Sequence, residues 1–199
     1  MEATAAGAAG RVARERRAMP SGWWGMALVI ATEFTLFGSL IASYFYLRFQ
    51  NAAWPPDGIE DPSVTLPLVF TGILVLTCLP MFAAVRSART GQRWLAWNFV
   101  ALALVAQATY LGLQIWLFVD DMNSFSPTGT AYGSIYFALL GIHHAHVAVG
   151  LTFDVWLLGA LAFGLTNYRL IALRVIALYW YFVAFVAILV VLTQIYPTL

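Results

Sequence analysis

Long apolar runs separated by short polar breaks make up most of this chain. Runs of the roughly 20 residues that a helix needs to cross lipid extend over about Trp24–Leu47, Leu66–Val85, Trp94–Val119, Tyr132–Leu165 and Ile171–Tyr196. They lack the strict apolar/polar alternation of a barrel strand, and inside hydrocarbon each segment must satisfy its own backbone donors and acceptors. The pattern therefore predicts an all-α fold: a polytopic membrane bundle of five transmembrane helices. The first run is too long to be the core of a signal peptide and reads as a retained helix. Residues 22–199 are expected to form one transmembrane domain. The Ala/Gly-rich segment 1–21 is expected to be a disordered basic arm on the cytoplasmic side. No internal repeat or soluble domain stands out.

Composition supports the membrane assignment and charge adds an orientation. With 62% hydrophobic and only 10% charged residues, the chain lies far from the roughly 25% charged composition of soluble domains. All ten basic residues are arginine, and nine of them precede the first run or follow the second and fourth. Basic loops are retained in the cytoplasm, so the asymmetry predicts a cytoplasmic N-terminus and an external C-terminus. Asp57, Glu60, Asp61, Asp120 and Asp121 occupy the other two loops. A net charge of +1 gives no reason to expect nucleic acid as a partner. Cys78 is the single cysteine, which excludes an intrachain disulfide and a multi-cysteine metal site. Trp54-Pro55-Pro56-Asp57-Gly58 reads as a rigid outer turn, and Trp23, Trp24, Trp94 and Trp97 as an inner aromatic belt.

Two stripes of small residues predict packing faces, because close backbone approach replaces hydrophobic drive between helices in lipid. One runs through Gly25, Leu28, Thr32, Thr35, Ser39, Ala42 and Tyr46. The other runs through Ser134, Ala138, Gly141, Ala145, Ala148 and Thr152.

Polar residues inside the spans carry the candidate chemistry. Glu33 lies about nine residues into its run, roughly 13 Å deep at about 1.5 Å per residue, where a carboxylate costs several kcal/mol unless paired, hydrated or protonated. It is either a structural acid hydrogen-bonded to a neighbouring helix or a proton-handling group. In the fourth span the helical period puts His143, His146, Gly150 and Asp154 on one face, with His144 about 130° away. Counting residues from the span ends makes a contact from Glu33 to His146 or His143 geometrically possible. Gln107, Tyr110 and Gln114 form a polar stripe suited to interhelical hydrogen bonds. A metal site needs three or four ligands, more than this set is expected to bring together. No nucleophile with its base, phosphate loop or dinucleotide fingerprint is present, so the chain itself is expected to carry no catalytic residue.

Several motifs occur in an order that covers nearly the whole chain. They are Thr32-Glu33 with the following FTLFGSLIASYFYLR, the Trp54-Pro55-Pro56 turn, Gly141 through Val147 (GIHHAHV), and Tyr179 through Val183 (YWYFV). In this order they resemble subunit III of the haem-copper oxidases, the cytochrome c oxidase subunit III family, in its short five-helix form. By that resemblance Glu33 matches the family's membrane-embedded carboxylate, His143 and His146 its histidine pair, and Arg48 its arginine at the outer end of the first helix. Leu117, Tyr181, Ala184 and Ala187 depart from the family's polar or aromatic residues.

The resemblance implies an accessory chain in a bacterial inner membrane, non-catalytic itself but part of a cytochrome-c-oxidase-type complex that couples respiration to proton pumping. Haem and copper are then expected in partner subunits, with subunit I as the main partner, subunit II nearby, and phospholipid bound between helices. Stabilising subunit I and supporting proton uptake would be its work. A different class remains open on the residues alone: a proton-coupled transporter or channel, with Glu33 and the histidines as a relay and Asp154 as its inner mouth. Quinol oxidases and a nitric-oxide-reductase branch use similar chains.

Overall fold

The computed structural model describes residues 20–60 and 63–195. They form five helices, α1 Ser21–Gln50, α2 Thr65–Arg89, α3 Arg93–Ser124, α4 Ala131–Ala162 and α5 Asn167–Ile195, each long and apolar enough to cross a membrane. Among the described residues there is no strand. The expected arm lies outside the described residues except for Pro20 and Ser21, where α1 begins.

Element ends differ from the hydropathy boundaries where local chemistry intervenes. α4 stops at Ala162 rather than Leu165, because Gly164 takes a positive φ of 124° that L side chains rarely adopt. The Arg169 guanidinium donates to Gly164 O at 2.9 Å and ties the turn to the next helix. α5 starts at Asn167, so polar Asn167, Tyr168 and Arg169 are helical although hydropathy excludes them. Tyr196, the expected end of the last span, lies outside the described residues.

α2 consists of two segments, Thr65–Leu76 and Cys78–Arg89. Pro80 causes the break: it has no N–H to give the Leu76 carbonyl, and its ring crowds that carbonyl. Thr77 sits at the joint and donates its hydroxyl to Leu74 O at 2.7 Å.

Packing makes a ring of four helices with one outrigger. α3 lies between α2 and α4, and α5 closes the ring by contacting both α4 and α2. α1 rests on α4 and α5 alone. Its rings hold it there: Phe34 stacks on Phe185 at 5.8 Å, and Phe37 meets His146 edge-on at 5.1 Å. At the acidic end the loop after α1 turns inward. Trp54 is buried between Tyr44 and Tyr132, with centroid distances of 5.4 and 5.1 Å.

Apart from Gly141, the small-residue stripes meet no helix of this chain. Gly25, Thr32, Thr35, Ser39, Ala42 and Tyr46 are exposed, and α1 packs through Phe37 and Tyr44 on its other side. On α4, Ala145 and Ala148 are likewise exposed, and Gly141 is half-buried against Phe118. Within this chain the close approach falls instead at Gly150, where a Cβ would lie 2.6 Å from the Trp180 ring. Sequence alone could not assign these faces, because Leu and Val satisfy lipid and protein neighbours equally well.

Candidate functional site: an acid–imidazole pair at mid-membrane

Glu33 and His146 meet at the seam between α1 and α4, with Nε2 and Oε2 2.9 Å apart. Both are partly sheltered, their side chains 27% and 17% exposed. Three contacts fix the imidazole and a fourth holds its backbone carbonyl. Its Nδ1 lies 2.7 Å from Ile142 O, a carbonyl that can only accept, so Nδ1 carries a hydrogen. Phe37 packs against the ring, Tyr179 donates to His146 O at 2.8 Å, and Glu33 completes the set.

That geometry limits the pair to one shared proton. With Nδ1 committed to Ile142, the contact to Glu33 holds a single hydrogen, either on Oε2 facing a neutral ring or on Nε2 facing a carboxylate. Both arrangements have zero net charge. This is how an acid is tolerated at mid-depth, where an isolated carboxylate would cost several kcal/mol. Chemically the shared proton can move between Oε2 and Nε2 without exposing an uncompensated charge.

The other candidate residues on α4 belong to different neighbours. His143 is fully enclosed and faces α3: Gln114 Nε2 donates to Tyr110 Oη at 3.3 Å, and Tyr110 Oη lies 3.2 Å from His143 Nε2. His144, one residue on, is buried against Phe118 at 5.5 Å. Asp154 is fully buried inside the four-helix ring. The Gln107 amide, oriented as its neighbours demand, donates to Asp154 Oδ2 at 2.7 Å and to Ala103 O at 3.0 Å. The Trp180 indole N–H lies beside the Asp154 carboxyl, outside good hydrogen-bond geometry to Oδ1.

The shared face on α4 therefore divides into separate contacts. Glu33 pairs with His146 and not with His143, and Asp154 joins Gln107 instead of opening a route toward the basic end. Arg48 is half-buried at the end of α1, with its Nε unpartnered. Among the described residues no three histidine, cysteine or acidic side chains are grouped so as to hold a metal ion. Sequence reasoning missed the Asp154–Gln107 pair and the Gly150–Trp180 contact. The available signal was that Asp154 and Gln107 are each a polar side chain inside an apolar run, which lipid forces to find a partner.

The fold and this site define a polytopic helical membrane protein with a neutral, partly sheltered acid–imidazole pair at mid-depth. Residues 7–197 match the family described as Cytochrome c oxidase subunit III, and the chain belongs to that family. Its relatives span two kinds of oxidase. It is 31% identical over 165 residues to Cytochrome c oxidase subunit 3 of Bacillus subtilis (strain 168), covering 81% of this chain and 78% of that protein. Against Cytochrome bo(3) ubiquinol oxidase subunit 3 of Pseudomonas aeruginosa it is 30% identical, covering 84% and 80% respectively. With Cytochrome c oxidase subunit 3 of Patiria pectinifera it shares 29% identity over 80% of this chain, and it spans only 64% of that protein's length.

Proposed function

We propose that this chain is the accessory, non-catalytic subunit III of a haem-copper terminal oxidase in a bacterial inner membrane, with its N-terminus cytoplasmic. Family membership supports the class of complex, and the arginine asymmetry supports the orientation. Subunit I is the main partner in this reading and subunit II a neighbour. Haem and copper belong to those partners in this reading; each histidine here already faces a side chain of its own chain, Tyr110 for His143, Phe118 for His144 and Glu33 for His146. Phospholipid occupies spaces between its helices. The exposed Ala145 and Ala148 act as packing positions against a neighbouring subunit, since no helix of this chain covers them.

One observation carries the functional part: the Glu33–His146 pair lies at the seam where the outrigger helix meets α4, on the outside of the ring that holds the bundle together. A proton passing to the complex can exchange there without disturbing the core. A relay continuing to Asp154, as a free-standing transporter would need, is disfavoured because Asp154 is sealed inside the ring and engaged by Gln107. Replacing Glu33 by alanine should leave assembly largely intact and should slow proton uptake or shorten the catalytic lifetime of the complex. Turnover unchanged over many cycles would refute the role of the pair. Mild detergent extraction is expected to bring a haem-bearing partner with the chain, and its isolation with none would refute the oxidase reading itself.

A further inference from the structure

Among the described residues five arginines occupy the basic end of the bundle. Arg86 and Arg89 close α2, Arg93 opens α3, and Arg169 and Arg174 lie in the first two turns of α5. None of them is paired with a described carboxylate, because the one acid–base contact there is Glu33 with His146.

Two of the five converge. Arg169 Nη1 donates to Gly164 O at 2.9 Å. A Cβ built on Gly164 would lie 3.4 Å from that Nη1 and 4.0 Å from Arg93 Nη1, so the two guanidiniums flank one point on the turn between α4 and α5. Both side chains are half-buried, and each is held by its own chain. The Gly164 carbonyl holds Arg169, and the Trp94 ring, its centroid 4.4 Å from Cζ, holds Arg93.

This arrangement is unfavourable as it stands. Like charges held close together repel. Each arginine also lies in the first turn of its helix, where the positive end of the dipole disfavours a cation. Fixing the topology needs basic loops, and arginines spread over those loops serve equally well. It does not need two guanidiniums set against one turn. An anion between them reverses the sign of each of these interactions.

The geometry also selects the anion. Guanidinium forks match the oxygens of carboxylates and phosphates. One carboxylate offers two oxygens and a single charge, enough for one fork. A phosphate monoester carries about −1.5 to −2 charges at pH 7 and three acceptor oxygens, enough for two.

We propose that Arg93 and Arg169 bind a phosphate monoester at the Gly164 turn, with one guanidinium on each side of the phosphate. Such a group is supplied either by a soluble phosphorylated metabolite or by a lipid with a terminal phosphate in the adjoining leaflet.

Calorimetric titration of the full chain in neutral detergent with glycerol 3-phosphate tests the soluble form. Native mass spectrometry from nanodiscs of phosphatidic acid against phosphatidylcholine tests the lipid form. Saturable binding in at least one format is expected, and the format that shows it identifies the source. Arg93→Gln should weaken binding about tenfold or more, the loss expected for hydrogen bonds to a charged group. Arg169→Lys, which keeps the charge and a donor for Gly164 O but loses the fork, should weaken it as well. Arg86→Gln, an exposed arginine on the same surface, should leave binding unchanged. Absence of saturable binding in both formats overturns the proposal. So does binding that survives Arg93→Gln in a variant with the native unfolding temperature, and so does an equal loss in Arg86→Gln, which would reveal only a diffuse basic surface.

Discussion

Replacing Gly150 by valine is expected to lower the unfolding temperature of the bundle, whereas replacing Gly141 by alanine is not. At Gly150 a Cβ would lie 2.6 Å from Trp180 Cζ2 and 2.9 Å from Cη2. Trp180 is 1% exposed and cannot swing away without disturbing its neighbours on α5. Forced repacking of this kind costs about 1–3 kcal/mol, and about 2–4 °C is lost per kcal/mol in a chain of this size, so a fall of roughly 2–12 °C follows. At Gly141 the nearest atom is Phe118 Cζ at 3.8 Å, ordinary van der Waals contact, and a methyl group is accommodated. Thermal unfolding of both variants in one detergent, read by circular dichroism, checks the contrast. Equal midpoints would show that α4 and α5 do not meet as closely as described.

The contrast between these glycines shows which parts of the fold are legible in sequence. Spans are legible because lipid enforces length and apolarity on every crossing segment, and all five expected runs correspond to helices. The Glu33–His146 contact is legible because two ionisable groups at similar depth have few other ways to be accommodated. Rotation of each helix about its axis is not. A soluble helix advertises its buried face by hydrophobicity, but here the exposed residues of α1 include Trp24, Leu28 and Phe34, as apolar as its buried Phe37. A stripe of small residues marks where a helix can approach closely, without saying whether the neighbour is in this chain. Gly150 was visible as one member of a polar face, and only the position of Trp180 reveals why that residue has no side chain.

Gln107→Leu is expected to be the most costly single polar change in the ring, and pairing it with Asp154→Leu should restore most of the loss. Asp154 is fully buried, Oδ1 lacks a well-aligned partner, and Gln107 supplies the hydrogen bond to Oδ2. Removing the amide alone leaves the carboxyl with only the poorly aligned Trp180 N–H beside it, at about 1–3 kcal/mol. Removing the carboxyl alone strands the amide hydrogen that faced it, a penalty of similar kind. With both replaced by leucine, neither group remains to be satisfied, and apolar substitution of a buried polar pair is often close to neutral. A double-mutant cycle on unfolding free energy should therefore show strong coupling, with the double variant more stable than either single one. Additive losses would mean that the two residues do not pair. The same double variant separates the two polar centres by function: if Asp154 and Gln107 only join helices of the ring, oxidase turnover should persist in it. Glu33→Ala, which leaves the ring untouched, should impair turnover.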